Sequence, residues 1–202
     1  MLTVTRSLYV LLCLLCAFAC AANANPPTPP TLEAATKALD LRVLTYNLNY
    51  GNTRWDEIEA SIRAANADVV ALQEVTDDAA THLPARLRDL YPHTALRPAQ
   101  AASGFALLSR HPITSEQFLD PAFGFFGTQI AVLDVAGQPV QLLNVHLQPA
   151  LPKRGDGPLQ IAQTVFAMER VRAQEMQRIL DEHSAEIPAL MLGDFNTLSI
   201  LG

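Results

Sequence analysis

The sequence predicts an α/β protein of stacked sheets with helices outside them. Three observations carry this reading. Apolar runs of strand length occur early, in the middle and late in the 202-residue chain, with helical patterns between them. The longest periodic stretch, Leu159–His183, is one amphipathic helix. It leads straight into a buried-strand run, Pro188–Leu192, that ends in Gly-Asp-Phe-Asn.

The elements follow in order from Leu41. Leu41–Asn49 alternates apolar and polar residues, the pattern of a half-buried strand, and Gly51-Asn52 breaks it. Trp55, Ile58, Ile62 and Ala65 recur at helical spacing. Asp68–Val75 is a strand, apolar until Gln73-Glu74, and Ala79–Leu90 is a helix that Pro84 starts, kinks or splits. Phe105–Ser109 and the segment after Pro112 read as strands around the Arg110-His111-Pro112 corner. Gln129–Val135 and Val140–Leu147 form a hairpin about Ala136-Gly137-Gln138. In Leu159–His183 the apolar stripe is Ile161, Val165, Met168, Met176 and Ile179. Arg172 falls inside it and must snorkel or meet a buried carboxylate.

Ahead of this domain, residues 1–24 carry one charge, Arg6, before the apolar run Leu8–Ala22. The run is short for a bilayer span but fits the core of an export signal, with small-x-small sites at Ala17-Phe18-Ala19 and Ala22-Asn23-Ala24. The expected organisation is a signal peptide over 1–24, a proline-rich tether over 25–40 and one globular domain over 41–202. The segment before Cys20 lacks the Leu that usually opens a lipobox, so a soluble exported product is favoured over a lipid anchor at Cys20. All three cysteines lie in the signal, so the mature chain has no disulfide and no thiolate metal site. Losing Arg6 moves the net charge from −6 to −7, an acidic balance that disfavours broad nucleic-acid binding. Basic stripes of a processive nuclease are missing, and no long loop of exposed aromatics points to a membrane surface.

Four strand ends share one feature: an apolar run closes on a residue able to bind metal or phosphate. They are Asn47, Gln73-Glu74, Asn144 with His146, and Asp194 with Asn196. Each has a plain alternative. Asn47 can open a turn, Glu74 can cap the next helix, His146 can be a core histidine, and Asp194 can close an Asx-turn. Four together, each directly after a strand, are hard to explain as separate turn devices. Asp194 and Asn196 lie two apart and point to one side of an extended backbone. A carboxylate at the end of a buried strand requires a partner, and a hard divalent cation is one.

In their order TYNLNYG, DVVALQEV, GFALLSRHPI, LLNVHLQP and LMLGDFNT, Leu41–Thr197 resembles the endonuclease/exonuclease/phosphatase superfamily. The resemblance implies a four-layer α/β sandwich of two packed mixed sheets with flanking helices, and Mg²⁺- or Mn²⁺-dependent hydrolysis of phosphate esters. It implies Glu74 as principal metal ligand supported by Asn47, and Asp194 as the carboxylate that orients or activates water. It further implies Asn196 and Asn144 as hydrogen-bond partners of the phosphate, and His146 beside the scissile phosphate. Lys153 and Arg154, in the loop Pro149–Pro158, are candidates for a weaker phosphate contact, and a solvated loop explains them equally well. Arg110 matches a family position that serves packing as often as binding, and it is left out of the site. The substrates implied are nucleic acid, a phospholipid headgroup or an inositol phosphate, acted on by a monomer without a stable protein partner. Asn49 stands where some nuclease branches carry an acidic residue. The family's closing strands and Asp-His pair have no counterpart here, so the expectation is a domain incomplete at its C-terminus, with doubtful activity. The alternative is a non-catalytic remnant that at most binds phosphorylated ligands.

Overall fold

The computed structural model describes residues 40–197, which hold eight strands and three α-helices. The expected export signal and all of the tether but Asp40 lie outside the described residues. Among the described residues no helix is long and apolar enough to cross a membrane.

Strand β1 (Val43–Asn47) pairs in parallel with β2 (Val69–Gln73). The crossover between them is α1 (Trp55–Ala65), which buries Ile58 and Ile62 and ends on Asn66 in the left-handed conformation. Next comes α2 (Asp77–Arg86), begun by Thr76, whose side chain accepts the Ala79 N–H. Glu74 is therefore not the cap, and Pro84 sits inside this helix. Strands β3 (His93–Arg97) and β4 (Phe105–Ser109) complete the first sheet, in the order β1-β2-β4-β3. The sequence pattern does not reveal β3, a short edge strand with one buried residue.

The second sheet has the order β5-β6-β7-β8. It comprises β5 (Ile113–Leu119), β6 (Thr128–Val135), β7 (Gln138–His146) and β8 (Ala189–Asp194). Ala136 and Gly137 join β6 to β7 with φ of 53° and 83°, the two positive values of a tight hairpin turn. Helix α3 (Pro158–Glu182) then crosses to β8, which lies parallel to β7.

Alternation along the strands builds four layers. Val69 and Ala71 of β2 and Leu107 of β4 meet Ala131, Leu133, Leu142 and Leu192 between the sheets. Val70 and Leu72 face outward, into a core with Ile58, Ile62, Ala79 and Leu83 of α1 and α2. Leu143 and Val145 face outward on the other side, against Ile179 and Met176 of α3. The two mixed sheets with helices on both outer faces are the sandwich expected from the sequence.

Helix α3 departs from its expected stripe. Its buried residues are Arg172, Glu175 and Ile179, whereas Ile161 is exposed together with Leu159 and Phe166. Only the C-terminal half of the helix lies on the sheet, which is why periodicity alone misplaces the buried face. Buried Arg172 takes neither expected solution: its charge stays inside rather than snorkelling, it donates to the Gln148 carbonyl at 2.8 Å, and its carboxylate partner Glu169 is half exposed.

Candidate active site

The site forms where β1, β2, β7 and β8 end on the same side. The register sets Asn47 opposite Gln73, one residue before Glu74, and His146 opposite Asp194. At three of these ends the chain turns through a left-handed residue: Asn49 at φ 57°, Glu74 at 60° and Asn196 at 48°. Asn visits this region at little cost, but for Glu it carries a steric penalty of roughly 1–2 kcal/mol. Backbone strain of this kind clusters where geometry serves a site.

Asn47 links the two carboxylates. Its Nδ2 donates to Glu74 Oε1 at 2.9 Å and to Asp194 Oδ2 at 3.0 Å. The other oxygens are held by backbone. Glu74 Oε2 accepts the Tyr50 N–H at 3.0 Å, and Asp194 Oδ1 accepts the Asn196 N–H at 2.9 Å. The latter is an Asx-type turn, so the turn and the site coexist at this strand end. Asn196 Nδ2 donates to the Leu147 carbonyl at 2.8 Å, which ties the end of β8 to the chain leaving β7.

His146 is 3 % exposed and points Nε2 at the same place, 4.0 Å from Glu74 Oε1 and 3.9 Å from Asp194 Oδ2. Phe126 stacks on the imidazole with centroids 3.9 Å apart and planes 6° apart. Burial pulls the imidazole pKa down, against the opposing pull of Asp194, Glu74 and the Ala102 backbone. The ring is therefore neutral near pH 7 and can accept a proton.

A hard cation suits this donor set. Two carboxylates converge within hydrogen-bond reach of one amide group, and among the described residues neither pairs with a Lys or Arg. Like charges brought together without a basic partner repel unless something positive joins them. Among the described residues no three or more His, Cys, Asp or Glu side chains group into a metal cage. Two carboxylates fit an ion that completes its shell with water, the habit of Mg²⁺, while Asn47 Oδ1 accepts the Asn49 N–H at 2.9 Å.

Three of the sequence candidates lie elsewhere. Asn144 is fully buried between the sheets, which corrects its expected contact with phosphate. It accepts from Gln73 Nε2 at 2.7 Å and donates to the Leu72 carbonyl at 3.1 Å, leaving nothing to present to a substrate. Lys153 and Arg154 are exposed in the loop after β7, where a turn closes through the Lys153 N–H and Asp156 Oδ2 at 2.8 Å. The cleft beside Asp194 and Asn196 is lined by Pro149, Ala150 and Leu151 instead. Arg110 binds Asp68 and Asn66 at the opposite end of β2. Sequence reasoning missed the Tyr50 N–H, which no side-chain pattern can reveal, and Phe126. The signal for Phe126 was the cluster Phe123-Gly124-Phe125-Phe126, in which Phe123 and Phe125 are exposed.

The sequence profile of the Endonuclease/Exonuclease/phosphatase family matches residues 44–200. No match was found among curated protein sequences. Solved structures share the fold at low identity. A β-hairpin deletion mutant of beta toxin from Staphylococcus aureus is 20% identical, with a TM-score of 0.61 over 78% of this chain and 68% of that one. Humanized D. rerio TDP2 is 17% identical, with a TM-score of 0.60 over 79% of this chain and 67% of that one. Sphingomyelinase C from Streptomyces griseocarneus is 23% identical, with a TM-score of 0.56 over 79% of this chain and 65% of that one. The chain thus spans about two thirds of the length of the structures it matches. With a profile match over residues 44–200 and a shared fold, the chain belongs to the Endonuclease/Exonuclease/phosphatase family, whose members hydrolyse phosphoric esters.

Proposed function

We propose that this chain is an exported, Mg²⁺- or Mn²⁺-dependent phosphoric ester hydrolase whose site is built by Asn47, Glu74, His146, Asp194 and Asn196. One observation carries the reading: Glu74 and Asp194, from different sheets, converge on Asn47 with no Lys or Arg partner among the described residues, and neutral His146 faces the same point. When bound there, the cation supplies charge neutralisation for the non-bridging oxygens of the phosphate.

The side chains divide the remaining work. Glu74 and Asn47 hold the cation, and Asp194 orients the attacking water. Asn196 keeps a second amide hydrogen for a phosphate oxygen. His146 offers Nε2 as the acid/base group, and Phe126 shields the ring from water. The substrate is a phosphodiester or phosphomonoester. The matched sphingomyelinase C favours a phospholipid headgroup among the alternatives of nucleic acid and inositol phosphate. The exposed Phe123 and Phe125 beside the site, absent from the sequence-based expectation, are consistent with an apolar substrate.

Turnover of bis(p-nitrophenyl) phosphate by the purified protein tests this reading. Hydrolysis should require Mg²⁺ or Mn²⁺, and His146→Gln and Asp194→Asn should each lower kcat by about 10²- to 10⁴-fold. No turnover above the metal-only background, with ligand binding retained, would favour the non-catalytic alternative.

A further inference from the structure

Strand β3 runs in the direction of β2, and β5 in the direction of β7, so both leave their sheets at the end where the site forms. Between those two strand ends lies a groove of ≈ 310 Å³, a volume at the small end of ligand pockets. Two stretches of chain line it: Pro98, Ala99 and Ser103 after β3, and Phe118, Pro121 and Phe125 at and beyond the end of β5.

Both stretches are fastened to the site. The Ala99 N–H donates to the Val75 carbonyl and the Val75 N–H to the Gly104 carbonyl, each at 3.1 Å, one residue beyond Glu74. A Cβ on Gly104 would stand 1.8 Å from that Val75 oxygen, a close approach that glycine alone permits. The backbone of Ala102, next to Ser103, reaches the His146 imidazole. On the other stretch Phe126 stacks on the same imidazole, and the Phe125 N–H donates to Gln148 Oε1 at 2.9 Å. The groove is thus framed by the two stretches that meet at His146.

The polar groups of the groove are already paired. Arg97 is the one charged residue of its lining among the described residues, and it binds Glu116 through Nε at 2.9 Å and Nη2 at 3.2 Å. Ser103 Oγ donates to the Gln100 carbonyl at 3.3 Å. Arg97 lies over the ring of Phe118, and Phe105 meets that ring in a T-shaped contact. A second phosphate therefore finds no free cation here, and an aromatic ring finds Phe118 already engaged. What the groove offers is apolar surface, including that of Phe125, which is 64 % exposed.

We propose that this groove receives an alkyl chain of the alcohol esterified to the scissile phosphate. The substrate class is accordingly a phosphoric ester of an aliphatic lipid alcohol rather than of a nucleoside or an inositol. The inference deepens the proposed hydrolysis and rests on it for the position of the phosphate at Glu74, His146 and Asp194. Covering Phe125 and its neighbours with a chain removes apolar surface from water, which is the driving force.

The test is calorimetric binding of n-alkyl phosphates, from methyl to hexyl and monomeric in solution, to the full chain in millimolar Mg²⁺. A half-buried methylene is worth about 2-fold in affinity, so hexyl phosphate should bind about 30-fold tighter than methyl phosphate. Ser103→Trp, which fills the groove, should cut that ratio below about 3-fold and leave methyl phosphate binding unchanged. Should this variant not fold, Phe125→Ala, at an exposed position, should lower the ratio by about 3-fold or more. No gain with chain length in the wild type overturns the inference. A gain kept in full by both variants also overturns it, and would place the chain in the cleft of Leu151 and Phe195. Phenyl phosphate binding more tightly than hexyl phosphate would make the groove an aryl subsite and overturn it as well. All of these are read without turnover. Chain-length-dependent binding by a protein that hydrolyses nothing would contradict the proposed catalysis and leave the groove standing. Hydrolysis of bis(p-nitrophenyl) phosphate without that dependence would do the reverse.

Discussion

At Glu175, burial couples protonation to stability. Burial raises its pKa above the ordinary 4.5, against the opposing effects of the Gln148 N–H and the Arg172 guanidinium. The folded chain then keeps a proton that the unfolded chain has released. The associated stability is fully present below about pH 4.5 and is lost as pH rises through the folded value. Urea midpoints of wild type and Glu175→Gln should therefore diverge between about pH 4.5 and neutrality, the variant gaining on the wild type as pH rises. Parallel profiles would show that Glu175 titrates normally. The residue scale is also where the sequence is least legible. Alternation from Leu142 already places Asn144 and His146 on the inward face of β7, and alternation from Val69 and Ala71 places Gln73 inward on β2. What alternation lacks is depth. Asn144 lies between the sheets, where Gln73 and backbone carbonyls satisfy it, whereas His146, two residues on, emerges at their rim.

Among the elements, β8 is the one whose backbone is most constrained by function. Gly193 adopts φ of 145° and packs so closely on β7 that a Cβ would stand 1.9 Å from the Val145 carbonyl oxygen. The contact is with backbone, which cannot yield as a side chain can, and it lies one residue before Asp194. Gly193→Ala should cost at least about 2 kcal/mol in chemical denaturation, from strain and the forced separation of β7 and β8. A change under about 0.5 kcal/mol would mean that the strands adjust freely. The Gly-Asp-Phe-Asn stretch was legible because an apolar run closes on paired polar residues. Edge strand β3 was not, since five residues with a single buried position carry no periodic signal. Helix α3 was legible in extent but not in facing, because its N-terminal half lies off the sheet.

Over the whole molecule, the site exists only because two sheets are stacked. Asn47 and Glu74 end strands of one sheet, and His146 and Asp194 end strands of the other. The hydrogen bond from Asn47 to Asp194 crosses 147 residues of sequence. The type of residue at each of these strand ends was readable from the chain. Their convergence was not, because it depends on the parallel β1–β2 and β7–β8 pairs both ending on the same side. The central claim is that this convergence holds a divalent cation. A ligand that binds only the folded chain raises its melting temperature by mass action, so the most direct measurement is thermal unfolding with and without millimolar Mg²⁺, in wild type and in Glu74→Gln. The wild type should melt at a higher temperature with Mg²⁺, and the variant should show no shift. An equal shift in both proteins, or none in either with Mg²⁺ or Mn²⁺, would contradict it.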